Sequence, residues 1–181
     1  RDLHLCDRRQ RQMCIRDSCN GSLIRPGMAV MIDMCGNFTG YMTDMTRVYS
    51  VGELPDLAHR AHQCSIDIHR AVSQMGKPSV KAADLYNLAI SIAKEAGLEN
   101  YFMGHTQKAG FIGHGVGIEV NEAPVLAPRS KDILEGNQVI ALEPKFVIPH
   151  VGAVGIEDTY TVTPEGMKAI TNAPIEIVSL S

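Results

Sequence analysis

Residues 29–50 read AVMIDMCGNFTGYMTDMTRVYS, two runs of strand-forming residues around the loop-like GNFTG. The runs 29–35 and 41–50 are rich in Val, Ile, Tyr and Thr, and Gly and Asn break the pattern between them, which predicts an antiparallel hairpin. Each run holds one aspartate, Asp33 in the first and Asp44 in the second. Residues that face each other in a hairpin lie equally far from the loop centre. A loop centred between Phe38 and Thr39 therefore sets Asp33 opposite Asp44.

A second hairpin of the same design lies further along the chain. Residues 139–148 (VIALEPKFVI) and 153–163 (AVGIEDTYTVT) flank a turn at 149–152. With the centre at His150, Glu143 faces Glu157. Directly opposed residues on one sheet face have Cβ atoms about 4.5–5.5 Å apart, close enough for like charges to repel. Two buried carboxylate pairs are costly unless something neutralises them, and a pair of divalent cations does so. Oxygen-rich coordination with a single imidazole suits Mn²⁺, Co²⁺, Fe²⁺ or Zn²⁺. His114, in GHGVGIEVNEAP (residues 113–124), is the nitrogen donor that this reading selects, because its flanking glycines let a metal or substrate approach closely.

Two helices are expected between the hairpins. Leu57, Ala61, Cys64, Ile68, Ala71, Val72 and Met75 recur at intervals of three and four, predicting a helix from Asp56 to about Met75 that ends at Gly76 and Pro78. A second fits residues 80–96, with Ala83, Tyr86, Leu88, Ala89, Ile92 and Ala93 as its buried stripe and Gly97 as its stop. Residues 104–117 are too glycine-rich to assign, except that GIEV (117–120) reads as the start of a strand.

With 181 residues, 45% apolar and 20% charged, the chain has the size and composition of one globular domain. It holds no apolar run of membrane-spanning length and no secretory h-region, which places the protein in the cytoplasm, away from membranes. Its five cysteines are scattered without C-x-x-C spacing, so neither a disulfide framework nor a thiolate zinc site is indicated. A formal charge of −3 gives no electrostatic case for nucleic acid. Residues 1–18 (RDLHLCDRRQRQMCIRDS) show no periodicity and crowd their arginines together. They read as a non-native, adaptor-derived segment, leaving residues 19–181 as the domain.

At the carboxylates and His114 the chain resembles a known family. Asp33, the Tyr41-x-x-Asp44-x-Thr46-Arg47 run, GHGVG, LEP and GIEDTYTVT look like the dinuclear metallopeptidases of the pita-bread fold: methionine aminopeptidases, Xaa-Pro aminopeptidases and prolidases. DMTR and IEDTYTVT are nearer to the Xaa-Pro branch. The resemblance implies an α+β pita-bread catalytic domain, lacking its first elements, that acts as a metal-dependent aminopeptidase or dipeptidase on a peptide substrate. It implies two divalent ions held by Asp33, Asp44, His114, Glu143 and Glu157, with Asp44 and Glu157 bridging and Glu143 also the general base towards the attacking water. Dimers are common in the family, so a homodimer is the assembly it suggests.

Two positions depart from the pattern. Asn121 stands where the family usually has a second histidine; it either donates its amide to the substrate, as a catalytic contact, or caps a turn. Gly155 stands where the Xaa-Pro branch often has an arginine. Two other readings stay open: a same-fold hydrolase of a non-peptide C–N bond, creatinase-like, and a non-catalytic peptide-binding module that keeps the fold. Modules of that kind tend to lose the ligands, and all five stand here.

Overall fold

The computed structural model describes residues 23–180; the segment 1–18 lies outside them. β1 (Met28–Phe38) and β2 (Tyr41–Val51) form the first hairpin, and β10 (Val178–Leu180) adds to β2 in parallel. The helices follow as α1 (Asp56–Met75) and α2 (Ala82–Glu95). β3 (Gly113–Gly115), β4 (Glu122–Val125), β5 (Val139–Leu142), β8 (Asp158–Thr163) and β9 (Gly166–Ala169) make a five-stranded sheet in the order β4-β3-β5-β8-β9. β6 (Lys145–Ile148) and β7 (Gly152–Gly155) form a separate two-stranded ribbon. Among the described residues no helix is long and apolar enough to cross a membrane.

The first hairpin corrects the expected register. β1 runs on through Gly36 and Asn37 to Phe38, so the loop shrinks to Thr39-Gly40, both with left-handed backbone (φ 53° and 92°). This is the two-residue turn whose twist matches paired strands. The centre moves to between Thr39 and Gly40, so Asp33 faces Thr46 and Asp44 faces Cys35, not each other. A shift of two in partner preserves the face of the sheet, because side chains alternate with a period of two. Asp33 and Asp44 thus remain neighbours on one face, diagonal rather than opposed.

The second hairpin keeps its centre at His150 but breaks in the middle. Lys145 pairs with Gly155 in the ribbon and Leu142 with Asp158 in the larger sheet, and Glu143, Pro144, Ile156 and Glu157 lie in the gap. Proline has no N–H to give, which is why the ladder fails there. α1 fills the gap: the Ser65 hydroxyl donates to the Pro144 carbonyl (2.6 Å) and accepts from the Ile156 amide (3.1 Å). His69 reaches the Ile156 carbonyl (3.0 Å) and the Tyr160 hydroxyl (2.9 Å). The buried face of α1 is therefore mixed. Ala58, Ala61, Cys64, Ile68 and Val72 supply its apolar part, while Leu57 and Ala71 are half-buried and Met75 is exposed, contrary to the expected stripe. In α2 the buried line is Ala82, Leu85, Ala89 and Ala93, rotated from expectation because Ala82 docks its amide on the Asp132 carbonyl (2.9 Å).

The strand expected at GIEV is absent; residues 117–120 form a bend, and the strand is GHG instead. A Cβ at Gly113 or Gly115 would collide with the carbonyl oxygens of Ala141 or Ala123. The glycines let β3 slot between β4 and β5 at backbone contact, so a stretch that reads as flexible is buried throughout.

Candidate metal centre

The antiparallel bridge between Thr46 and Glu157 joins the first hairpin to the second, with mutual backbone hydrogen bonds of 3.2 Å. Around it the chain gathers its carboxylates. Donor atoms of Asp44, His114 and Glu157 lie within 4.8 Å of one another, as do those of Asp33, Cys35 and Asp44, so Asp44 belongs to both groups. Glu143 joins through its Oε1, 3.6 Å from His114 Nε2. All five residues singled out in the sequence meet at one place. Asp33 is exposed, the other four buried.

Hydrogen bonds from behind hold several of these residues in place. His114 Nδ1 lies 3.0 Å from the Gly115 carbonyl, which can only accept, so Nδ1 carries the proton. Nε2 then faces Asp44 Oδ2 (3.8 Å) and Glu143, the orientation a metal-ligating imidazole requires. Thr46 donates its hydroxyl to Glu157 Oε2 (2.7 Å), and the Thr159 hydroxyl donates to the Asp44 carbonyl (2.7 Å). Arg47 clamps the bridge by donating to the carbonyls of Thr46 and Glu157 (both 2.8 Å) while paired with Asp158 (2.6 Å).

Two residues that sequence reasoning passed over share this space. Lys145 sets its Nζ 2.5 Å from Glu143 Oε2. Burial works against its charge, but the Glu143 carboxylate holds it well above the ordinary lysine value. Cys35 donates its thiol to Asp44 Oδ1 (3.1 Å). Strand alternation could have found both, since each lies two residues after a carboxylate already chosen. Asn121 stands exposed in the bend before β4, next to Glu122, the registered partner of Gly115. Gly155 has φ 136°, and a Cβ there would meet the Pro144 carbonyl oxygen at 2.6 Å, so no side chain fits at that position.

The donor set fits divalent cations. Burial first, then the charges of Asp33 and Glu143, raise the Asp44 carboxyl from 3.8 to about 6, against the pull of the Cys35 hydrogen bond and His114. Burial, with Glu143, Asp44 and Asp33 around it, raises Glu157 well above the carboxylate range. Metal-free, the cluster is over-supplied with negative charge, which cations relieve.

This has a sign that can be tested. The folded chain binds the Asp44 proton more tightly than the unfolded chain, so the group costs stability as pH rises from about 4 through 6. In chelator, Asp44→Asn should therefore gain stability relative to wild type as pH rises from 4 to 7. Buried His69, lowered to about 4 chiefly by burial, titrates in the opposite sense but is common to both proteins and cancels. Urea midpoints at the two pH values measure it, and an equal difference at both would refute the account.

Comparison with known proteins agrees with this geometry. A family model described as metallopeptidase family M24 matches residues 6–164. The chain is 32% identical over 155 residues to the Xaa-Pro dipeptidase of Pyrococcus furiosus, covering 86% of this chain and 43% of that one. Its fold superposes on a dipeptidase from Pyrococcus horikoshii with a TM-score of 0.79 at 28% identity, covering 88% of this chain and 43% of the other. The corresponding figures for an X-Pro aminopeptidase from Thermotoga maritima are 0.78, 26%, 86% and 43%. The fold is thus the expected pita-bread fold, and the chain spans less than half the length of these relatives. Sequence pattern and backbone lead to one conclusion: the chain belongs to metallopeptidase family M24.

Proposed function

We propose that this chain carries the metal-holding part of a dinuclear metal-dependent peptidase, of Xaa-Pro dipeptidase or aminopeptidase type, that cleaves near the N-terminus of a peptide in the cytoplasm. The observation that supports it most is the convergence of Asp44, His114 and Glu157 within 4.8 Å, with Asp33 and Glu143 adjoining. Asp33, Asp44, His114, Glu143 and Glu157 would hold two divalent ions, Mn²⁺, Co²⁺, Fe²⁺ or Zn²⁺. When bound, such ions polarise the scissile carbonyl and acidify the attacking water. Glu143 accepts the proton of that water at Oε1 while Lys145 holds Oε2. The GHG backbone fixes His114, and the Thr46 hydroxyl fixes Glu157.

Release of the N-terminal residue from X-Pro dipeptides, abolished by chelation and restored by added metal, is the deciding assay. The crowding at Gly155 gives weight to a second reading, hydrolysis of a small non-peptide amide, because the arginine of many Xaa-Pro enzymes has no room there. Turnover of small amides but not X-Pro dipeptides would choose it. Asn121 supplies a finer test. As a neutral donor to the substrate carbonyl, its loss in Asn121→Ala should lower kcat/KM by about 10²–10³ with metal content unchanged. Unchanged kinetics would return the residue to turn capping.

A further inference from the structure

The five residues invoked above leave one donor in the same space without a role. Cys35 sits on β1 two residues after Asp33, so its side chain shares that face, and the register sets it directly opposite Asp44. Its Sγ lies 3.1 Å from Asp44 Oδ1, and single donor atoms of Asp33, Cys35 and Asp44 all fall within 4.8 Å of one another. Ligands about 2.0–2.3 Å from one ion are separated by roughly 3–4.5 Å, so this spacing is that of donors around a common cation. A buried side chain of the adjoining donor group is aimed at Asp44 from its other side. His114 is 1% exposed, and its Nε2 lies 3.8 Å from the other oxygen of Asp44, beyond hydrogen-bond range.

We propose that Cys35 is itself a metal ligand, a thiolate that completes the half of the centre built by Asp33 and Asp44. This rests on the metal centre proposed above. As the sulfur–metal bond forms, the thiol proton passes to solvent, and nothing is oxidised or reduced. A sulfur donor among carboxylates makes that half of the centre softer, so Zn²⁺ and Co²⁺ gain on Mn²⁺. Cys35 thereby sets which metal the site prefers.

Cobalt titration of the whole chain separates this proposal from the one beneath it. Visible d–d bands report cobalt in the centre, and an intense near-ultraviolet sulfur-to-cobalt band reports a thiolate bound to it. Wild type should show both. Cys35→Ser should keep the d–d bands and the cobalt content, lose the ultraviolet band, and reduce the preference for Zn²⁺ over Mn²⁺ by at least tenfold. Wild-type d–d bands without the ultraviolet band, or an ultraviolet band that survives in Cys35→Ser, would overturn the role of Cys35 and leave the metal centre standing. No cobalt binding at all would overturn both. Site-resolved alkylation of wild type needs no variant: Zn²⁺ should protect Cys35 from iodoacetamide, and equal labelling with and without Zn²⁺ would sink the assignment.

Discussion

His114→Ala should strip the protein of bound metal and of the proposed hydrolytic activity together. Among the described residues His114 is the one imidazole in the cluster, and it is 1% exposed, so bulk water does not take its place without rearrangement. Its removal leaves Asp44, Glu143 and Glu157 as crowded carboxylates, and burial and mutual repulsion already push Asp44 and Glu157 above the ordinary carboxylate value. Glu157→Ala has the same outcome by another route, since Glu157 belongs to the buried group and stands on the bridge between the hairpins. Elemental analysis after gel filtration should find about two equivalents of metal in wild type and essentially none in either variant. Glu119→Ala, at an exposed carboxylate in the adjoining bend, should keep its metal. A His114→Ala protein that retains two equivalents would overturn the assignment.

Asp158→Ala should destabilise the protein severely. Arg47 and Asp158 form a 2.6 Å ion pair with both residues nearly excluded from water, at 5% and 6% exposure. Removing one member of such a pair strands the other charge and costs about 3–5 kcal/mol. The Thr171 hydroxyl also loses its acceptor on Asp158. Urea denaturation measures the loss. Arg47→Met combined with Asp158→Leu should recover much of it, because no charge is then buried alone. A loss below about 1 kcal/mol in Asp158→Ala would mean that water reaches Arg47 readily.

How much of this was legible in the sequence depended on which physical signal each residue carried. The helix at Asp56–Met75 was plain to its ends, because apolar spacing, an acidic first turn and Gly76 all agree. The register of the first hairpin was not. Gly36 and Asn37 are turn formers by composition yet lie in β1, and Thr39 takes a left-handed backbone that β-branched residues seldom adopt. Because the register is displaced by a whole pleat, Asp33 and Asp44 stay on one face of the sheet. Cys35 carries no signal in cysteine spacing; only its place on β1, opposite Asp44, brings it to the site. The polar side of α1 was illegible because Ser65 and His69 are buried to serve a broken ladder that only the tertiary fold creates.

The bridge between Thr46 and Glu157 spans 111 residues of chain, and this has a consequence for synthesis. A ribosome adding about 5–20 residues per second takes roughly 5–20 seconds to pass from one to the other. For that interval the growing polypeptide carries Asp33, Cys35 and Asp44 on a hairpin whose remaining partners do not yet exist. A tight metal complex cannot form until the last acidic residue has left the exit tunnel. At the proposed centre an ion would therefore be captured only once Glu157 has emerged, from whatever the surrounding pool then supplies, and its capture would mark a polypeptide whose two distant hairpins have met.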